Sequence, residues 1–264
     1  MGNSIQHTTM TQLNHKAPSL PIAIGDGDIH IWKSHLDLSS DLLRYMWETL
    51  SADERDKAHR YVFEKDRNES IASRGLLRAI LSCYLQVPPK SQKYRYNEYG
   101  KPFLNQLHDS CISFNLSHSR GIALFAIAAK HNIGIDIEAL RYDIDILQMA
   151  EVAFSLFEIN QLLSFPPSMR HRAFFNGWTR KEAYIKAIGC GISIPLDSFA
   201  VSLTPGGISP VINIAGSFSE LSPWSVYEIE IESGYVAALA IDYSPSSIAI
   251  IDADETWMKS VFST

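Results

Sequence analysis

The chain has 264 residues, 46% of them hydrophobic, and a formal net charge of −6. That length admits one large domain or two smaller ones, and the acidic balance gives no global attraction to nucleic acid or anionic lipid. Cys83, Cys111 and Cys190 are the three cysteines and form no C-x-x-C pair, so neither a disulfide framework nor a zinc knuckle is indicated and a reducing compartment fits best.

Residues 1–20 are polar where a secretory leader needs an apolar segment, and Gln6 stands where N-myristoylation wants Ser or Thr. A cytoplasmic protein with a loose leading segment over 1–20 is expected. The longest apolar run, 121–129, is too short to span a bilayer. An extended segment follows over 21–32, then helical patterns over 38–50, 52–61 and 67–85. Ser51 caps the second, with Glu54 completing a capping box, and Val87-Pro88-Pro89 ends the third. Strand-like runs occupy 111–116 and 122–128, and 132–138 alternates strictly. Helical patterns return over 144–153, 156–165 and 169–188, and the tail is β-like over 199–203 and 224–241.

The order of strands and helices repeats once. S-R-G-L-L-R-A-I at 73–80 aligns with K-E-A-Y-I-K-A-I at 181–188, and S-R-G-I-A-L-F-A-I at 119–127 aligns with S-G-Y-V-A-A-L-A-I at 233–241. A duplication is expected, with halves at 21–130 and 131–264. In that register Arg74 and Arg78 take the places of Glu182 and Lys186. Two such halves face to face would make a cleft with cations on one wall and a carboxylate on the other, suited to an anionic, metal-bound ligand.

Four segments carry chemistry. In I-G-I-D-I-E, Asp136 and Glu138 share one face of a strand and Ile135 and Ile137 the other. Two such carboxylates repel each other, and a hard cation such as Mg²⁺ relieves the repulsion; a solvated acidic face is the plainer reading. In F-N-L-S-H-S at 114–119 Asn115, Ser117 and His118 are polar, the Ser-His-Ser turn at 117–119 can offer hydroxyl, imidazole and backbone donors to an anion, and the absence of G-x-S-x-G argues against a hydrolase nucleophile. N-E-Y-G-K-P-F-L at 97–104 is a turn in which Gly100 permits close approach, Lys101 brings charge and Pro102 holds the loop. Glu182 and Lys186 stand four residues apart on one helical face, which taken alone reads as a surface salt bridge.

Together, in order, Y-G-K-P-F-L, F-N-L-S-H-S, G-I-D-I-E and W-T-R-K-E-A-Y-I-K-A resemble the motifs of the Sfp-type 4′-phosphopantetheinyl transferases, and the resemblance runs over about 51–203. It implies an α+β monomer of two similar halves related by pseudo-twofold symmetry, with coenzyme A in the cleft between them. It implies transfer of phosphopantetheine from coenzyme A to a serine of an apo acyl or peptidyl carrier protein, releasing adenosine 3′,5′-bisphosphate. By the same resemblance Asp136, Glu138 and Glu182 match Mg²⁺ ligands, Glu182 and Asp136 catalytic positions, and Lys186 a pyrophosphate contact. Lys101, Gly100, Pro102, Asn115, Ser117 and His118 match coenzyme A contacts, and Arg74 and Lys57 phosphate-binding positions. The rival reading is a Mg²⁺-dependent pyrophosphate hydrolase using the same cleft with water as nucleophile.

Overall fold

The run from 122 to 129 has no polar residue on either face, and it becomes a strand covered on both sides. The computed structural model describes residues 10–12, 21–105, 111–213 and 221–262. In it this strand, β6 (Ile122–Ala129), lies in a sheet ordered β1 (Met10–Gln12), β12 (Ser247–Asp252), β2 (Asp28–His35), β6, β5 (Ile112–Ser119). A second sheet runs β7 (Ile133–Ala139), β11 (Tyr235–Ile241), β10 (Leu221–Ile229), β9 (Ile208–Asn213), β8 (Phe199–Ala200). A separate hairpin pairs β3 (Tyr94–Tyr96) with β4 (Pro102–Leu104). Of the segment expected to be loose, Met10–Gln12 pairs in parallel with β12, and the rest lies outside the described residues.

The helices are α1 (Ser40–Thr49), α2 (Ala52–His59), α3 (Glu64–Leu85), α4 (Ile146–Ala153), α5 (Leu156–Ser164), α6 (Pro167–Ile188) and α7 (Glu255–Phe262). The inner faces of the two sheets meet through Ile29, Ile31, Leu124, Ile135, Ile137 and Leu239. Each such side chain stabilises the fold by about 1.5–3 kcal/mol when fully buried. On the outer face of the first sheet, Trp32 and Phe125 pack beneath Met46, Leu76, Ile80 and Trp257 from α1, α3 and α7. On the outer face of the second, Val226 and Ala238 pack against Ala183 and Tyr184 of α6. Among the described residues, no helix is long and apolar enough to cross a membrane.

The duplication is visible, in a different register from the expected one. β2 runs antiparallel to β6 as β7 does to β11, and α3 and α6 are both 22 residues long. These helices start at Glu64 and Pro167 and end at Leu85 and Ile188, which sets Arg78 against Lys181 rather than Lys186. The shared chemistry confirms that register. In the first half the capping box of Ser51 and Glu54 is tied to Arg78, whose guanidinium lies 2.7 Å from Glu54 and donates to the carbonyls of Pro89 and Gln92. In the second the capping box of Ser155 and Glu158 is tied to Lys181 at 2.8 Å, and Lys181 donates to the carbonyls of Leu196 and Phe199. Arg78 is therefore a buried lock and not a cation on the cleft wall. The strands slip too: Ile29 pairs with Ala128 and Ile133 with Ile241, so Ala128, not Ile127, is the counterpart of Ile241. A one-residue slip exchanges the faces of a strand, so the expected alignment inverts inside and outside.

The end of the chain returns to the first half. β12 pairs in parallel with β2, and α7 packs into the first half through Trp257 and Met258. The expected division at 130/131 puts these last two elements in the second half, whereas they pair and pack with the first. S-I-A-I-I-D is too short and uniform to say which sheet takes it.

Candidate active site

β5 and β7 are edge strands of different sheets running side by side, and side chains join them where backbone bonds do not. The amide of Ile135 donates to Asn115 Oδ1 at 2.8 Å, and that of Ala139 to Ser119 Oγ at 3.2 Å. Edge-strand donors need partners, and the alternation of β5 turns Asn115, Ser117 and Ser119 together toward β7. The two serines go on to the carboxylates: Ser117 Oγ donates to Asp136 Oδ1 at 2.8 Å and Ser119 Oγ to Glu138 Oε2 at 2.9 Å.

Gly134 brings α6 down onto this strand. A Cβ there would collide with the carbonyl of Ala183 and the amide of Ala187, so only glycine permits the approach. Lys186 Nζ then reaches Asp136 Oδ1 at 2.6 Å and Ser117 Oγ at 2.8 Å. Asp136 is 4% exposed, and its Oδ2 is buried with no hydrogen-bond partner among the described residues. Loss of hydration, followed by the charge of Asp136, holds the carboxyls of Glu138 and Glu182 above the usual range, with Lys186 opposing in both cases. Among the described residues no three His, Cys, Asp or Glu side chains converge as a ready metal cage. The ammonium of Lys186 holds the Asp136 oxygen that faces it.

The first half supplies cationic groups on α2 and α3. Arg74 of α3 has a buried Nη1 with no hydrogen-bond partner among the described residues. At the exposed end of β5, loss of hydration and then the charges of Lys186 and Arg74 hold the His118 imidazole below its usual range. Lys57 Nζ sits 4.7 Å over the Tyr96 ring, which also lies within the field of Arg74. Gly100, Pro102, Tyr99, Glu182, Lys186 and Gly189 line an open cavity of about 220 Å³ beside the carboxylates. The ammonium of Lys101 does not point a free charge into it. That group donates to the carbonyls of Lys186 at 2.6 Å, Ala187 at 2.8 Å and Ile133 at 3.3 Å, and burial pushes it down to about 8.

Ser119, Gly134 and Asn97 belong to the site's framework; from sequence Ser119 enters only as the end of a Ser-His-Ser turn, and Gly134 and Asn97 have no role. Ser119 carried a signal, since it shares the parity of Asn115 and Ser117. Gly134 carried another, as a glycine in a strand interior marks close backbone approach. Asn97, whose Nδ2 donates to Gly189 O at 2.6 Å, carried none, because its partner is 92 residues away.

A carboxylate with one oxygen unpartnered, two acids destabilised beside it and cations from the first half make a charged site suited to an anionic ligand. The sequence patterns of known families give the particular chemistry. That of the 4′-phosphopantetheinyl transferase superfamily matches residues 132–240, and that of the 4′-phosphopantetheinyl transferase N-terminal region matches residues 37–132. The 4′-phosphopantetheinyl transferase HetI of Nostoc sp. is 36% identical over 90% of this chain and 94% of its own length. The transferase gsp of Aneurinibacillus migulanus is 34% identical over 75% of this chain and 79% of its own. Sfp of Bacillus subtilis is 31% identical over 78% and 89%. The chain belongs to the 4′-phosphopantetheinyl transferase family, and it transfers the phosphopantetheine group of coenzyme A to carrier proteins. Nothing in these relatives supports the pyrophosphate hydrolase reading.

Proposed function

We propose that the acceptor is a carrier-protein serine, that Glu182 receives its proton, and that Asp136, Glu138 and Glu182 hold a magnesium ion. The unpartnered, buried Oδ2 of Asp136 carries this reading, because an anionic oxygen left dry beside two further acids is stabilised by a cation of high charge density. Magnesium bound there supplies neutralisation of the pyrophosphate oxygens. The side chains do the rest. Arg74, Lys57 and His118 offer donors to the phosphates of coenzyme A, with the unpartnered Nη1 of Arg74 the clearest vacancy for an anion. Lys186 counters charge on the departing phosphate. Proton acceptance by a positioned carboxylate such as Glu182 is worth about 10²–10⁴-fold. Both walls of the cleft come from one chain, which supports a monomer as the working unit.

The test is the mass of an apo carrier protein incubated with enzyme, coenzyme A and Mg²⁺. A gain of one phosphopantetheine on one serine is expected, abolished by chelation and restored by added Mg²⁺. Transfer that survives complete chelation would remove the metal from this reading.

A further inference from the structure

We propose that Lys101, together with Asn97, is a positioning residue: the β3–β4 hairpin grips the end of α6 and so sets where Glu182 and Lys186 stand over β7. The proposal rests on the transferase reading for the identity of the reaction it tunes.

The last four carbonyls of a helix have no partner within it, and Lys186 lies in that last turn. An ammonium has three donors. Those of Lys101 go to the carbonyls of Lys186 and Ala187 on α6 and of Ile133 on β7. One side chain from the first half thus ties the helix carrying Glu182 and Lys186 to the strand carrying Asp136 and Glu138. With all three donors engaged, Lys101 has none left for a phosphate. Asn97 completes the grip: its Nδ2 donates to Gly189 O, while its Oδ1 accepts from the amides of Tyr99 and Lys101 and fixes the turn. Gly189, at φ 72°, ends α6 and leaves room for both. A Cβ there would lie 3.1 Å from Lys101 Cδ and 3.3 Å from Asn97 Nδ2.

The test compares kcat and KM for coenzyme A, with one apo carrier protein as acceptor, in wild type, Lys101→Met, Asn97→Ala and the double variant. Amide exchange at 183–190 is followed in parallel. A displacement of about 1 Å at reacting groups costs up to roughly 10²-fold, so each single variant should lose about tenfold in kcat. KM should hold within about twofold, since binding energy shared by ground and transition states is untouched. The double variant should be no worse than the weaker single, and exchange at the end of α6 should quicken in each. A KM raised tenfold at unchanged kcat in Lys101→Met, with Asn97→Ala silent, would make Lys101 a ligand contact and overturn the proposal. If Lys101→Met fails to fold, Asn97→Ala carries the same prediction, having lost its bond to Gly189 and the two turn bonds of its Oδ1 but no charge. A wild type that transfers nothing would count against the transferase reading, whereas amide exchange would still judge the grip.

Discussion

The two halves place equivalent elements in the same order and fill them with opposite chemistry. Where β7 has Asp136, paired with Ala238, β2 has Trp32, paired with Phe125. Where α6 has Glu182 and Lys186, the register of the long helices gives α3 Ala79 and Cys83. Trp32, Ala79 and Cys83 are all buried within the first half's apolar core. The helix seats differ as well. Tyr84 of α3 lies over β2 and accepts from Trp32 Nε1 at 2.8 Å, whereas its counterpart in α6 is Ala187, which settles against Gly134. A bulky residue there builds a core, and two small ones let charged side chains meet. One half of the frame is stabilised by burial. The other holds carboxylates that repel, a cost accepted for chemistry.

The largest break in that contrast is Glu182→Gln. It leaves the shape of the site and removes the proposed proton acceptor, so transfer to an apo carrier should fall by about 10²–10⁴-fold. The metal-free protein should at the same time unfold at equal or higher denaturant, because a dehydrated acid facing Asp136 has become neutral. Phosphopantetheine transfer within tenfold of wild type would dismiss Glu182 as the proton acceptor.

The next effect sharpens what the halves share. Glu54→Ala and Glu158→Ala each strand a buried cation, Arg78 or Lys181, both 1% exposed. Removing one partner of a buried pair costs about 3–5 kcal/mol, and urea unfolding of the two variants should show losses of similar size. If only one of them loses stability on that scale, the locks are not equivalent.

These locks also mark how far the sequence can be read. The capping boxes at Ser51 and Ser155 are local signals, as are the helix ends and the alternation of I-G-I-D-I-E, and the structure keeps the elements they mark. Arg78 is different. Its partner Glu54 lies 24 residues away, and Ala and Ile recur in amphipathic helices closely enough to match in more than one register. The four-residue spacing of Glu182 and Lys186 suggested a pair, yet Lys186 makes its ion pair with Asp136 across the strand. Spacing puts both on one face; only packing at Gly134 says what that face meets.

The smallest expected effect is a pH dependence confined to the second half. Glu138 and Glu182 bind their protons more tightly folded than unfolded, because burial and then Asp136 raise both above 4.5. From that value up to the raised ones, the folded state carries more protons than the unfolded state. Stability contributed by these groups is therefore full below the window and is lost as pH rises through it, the reverse of a carboxylate held by a salt bridge. Trp32, Ala79 and Cys83 offer no group that titrates in that range, so the first half adds nothing from its equivalent positions. Other acids also titrate there, and the difference between wild type and Glu182→Gln isolates the term. In metal-free buffer the variant's advantage in urea midpoint should grow as pH rises from about 4 to 7, and Mg²⁺ should shrink it. A variant whose advantage shrinks with pH instead would mean that Lys186, not Asp136, dominates the field at Glu182, and that the second half holds its carboxylates without strain.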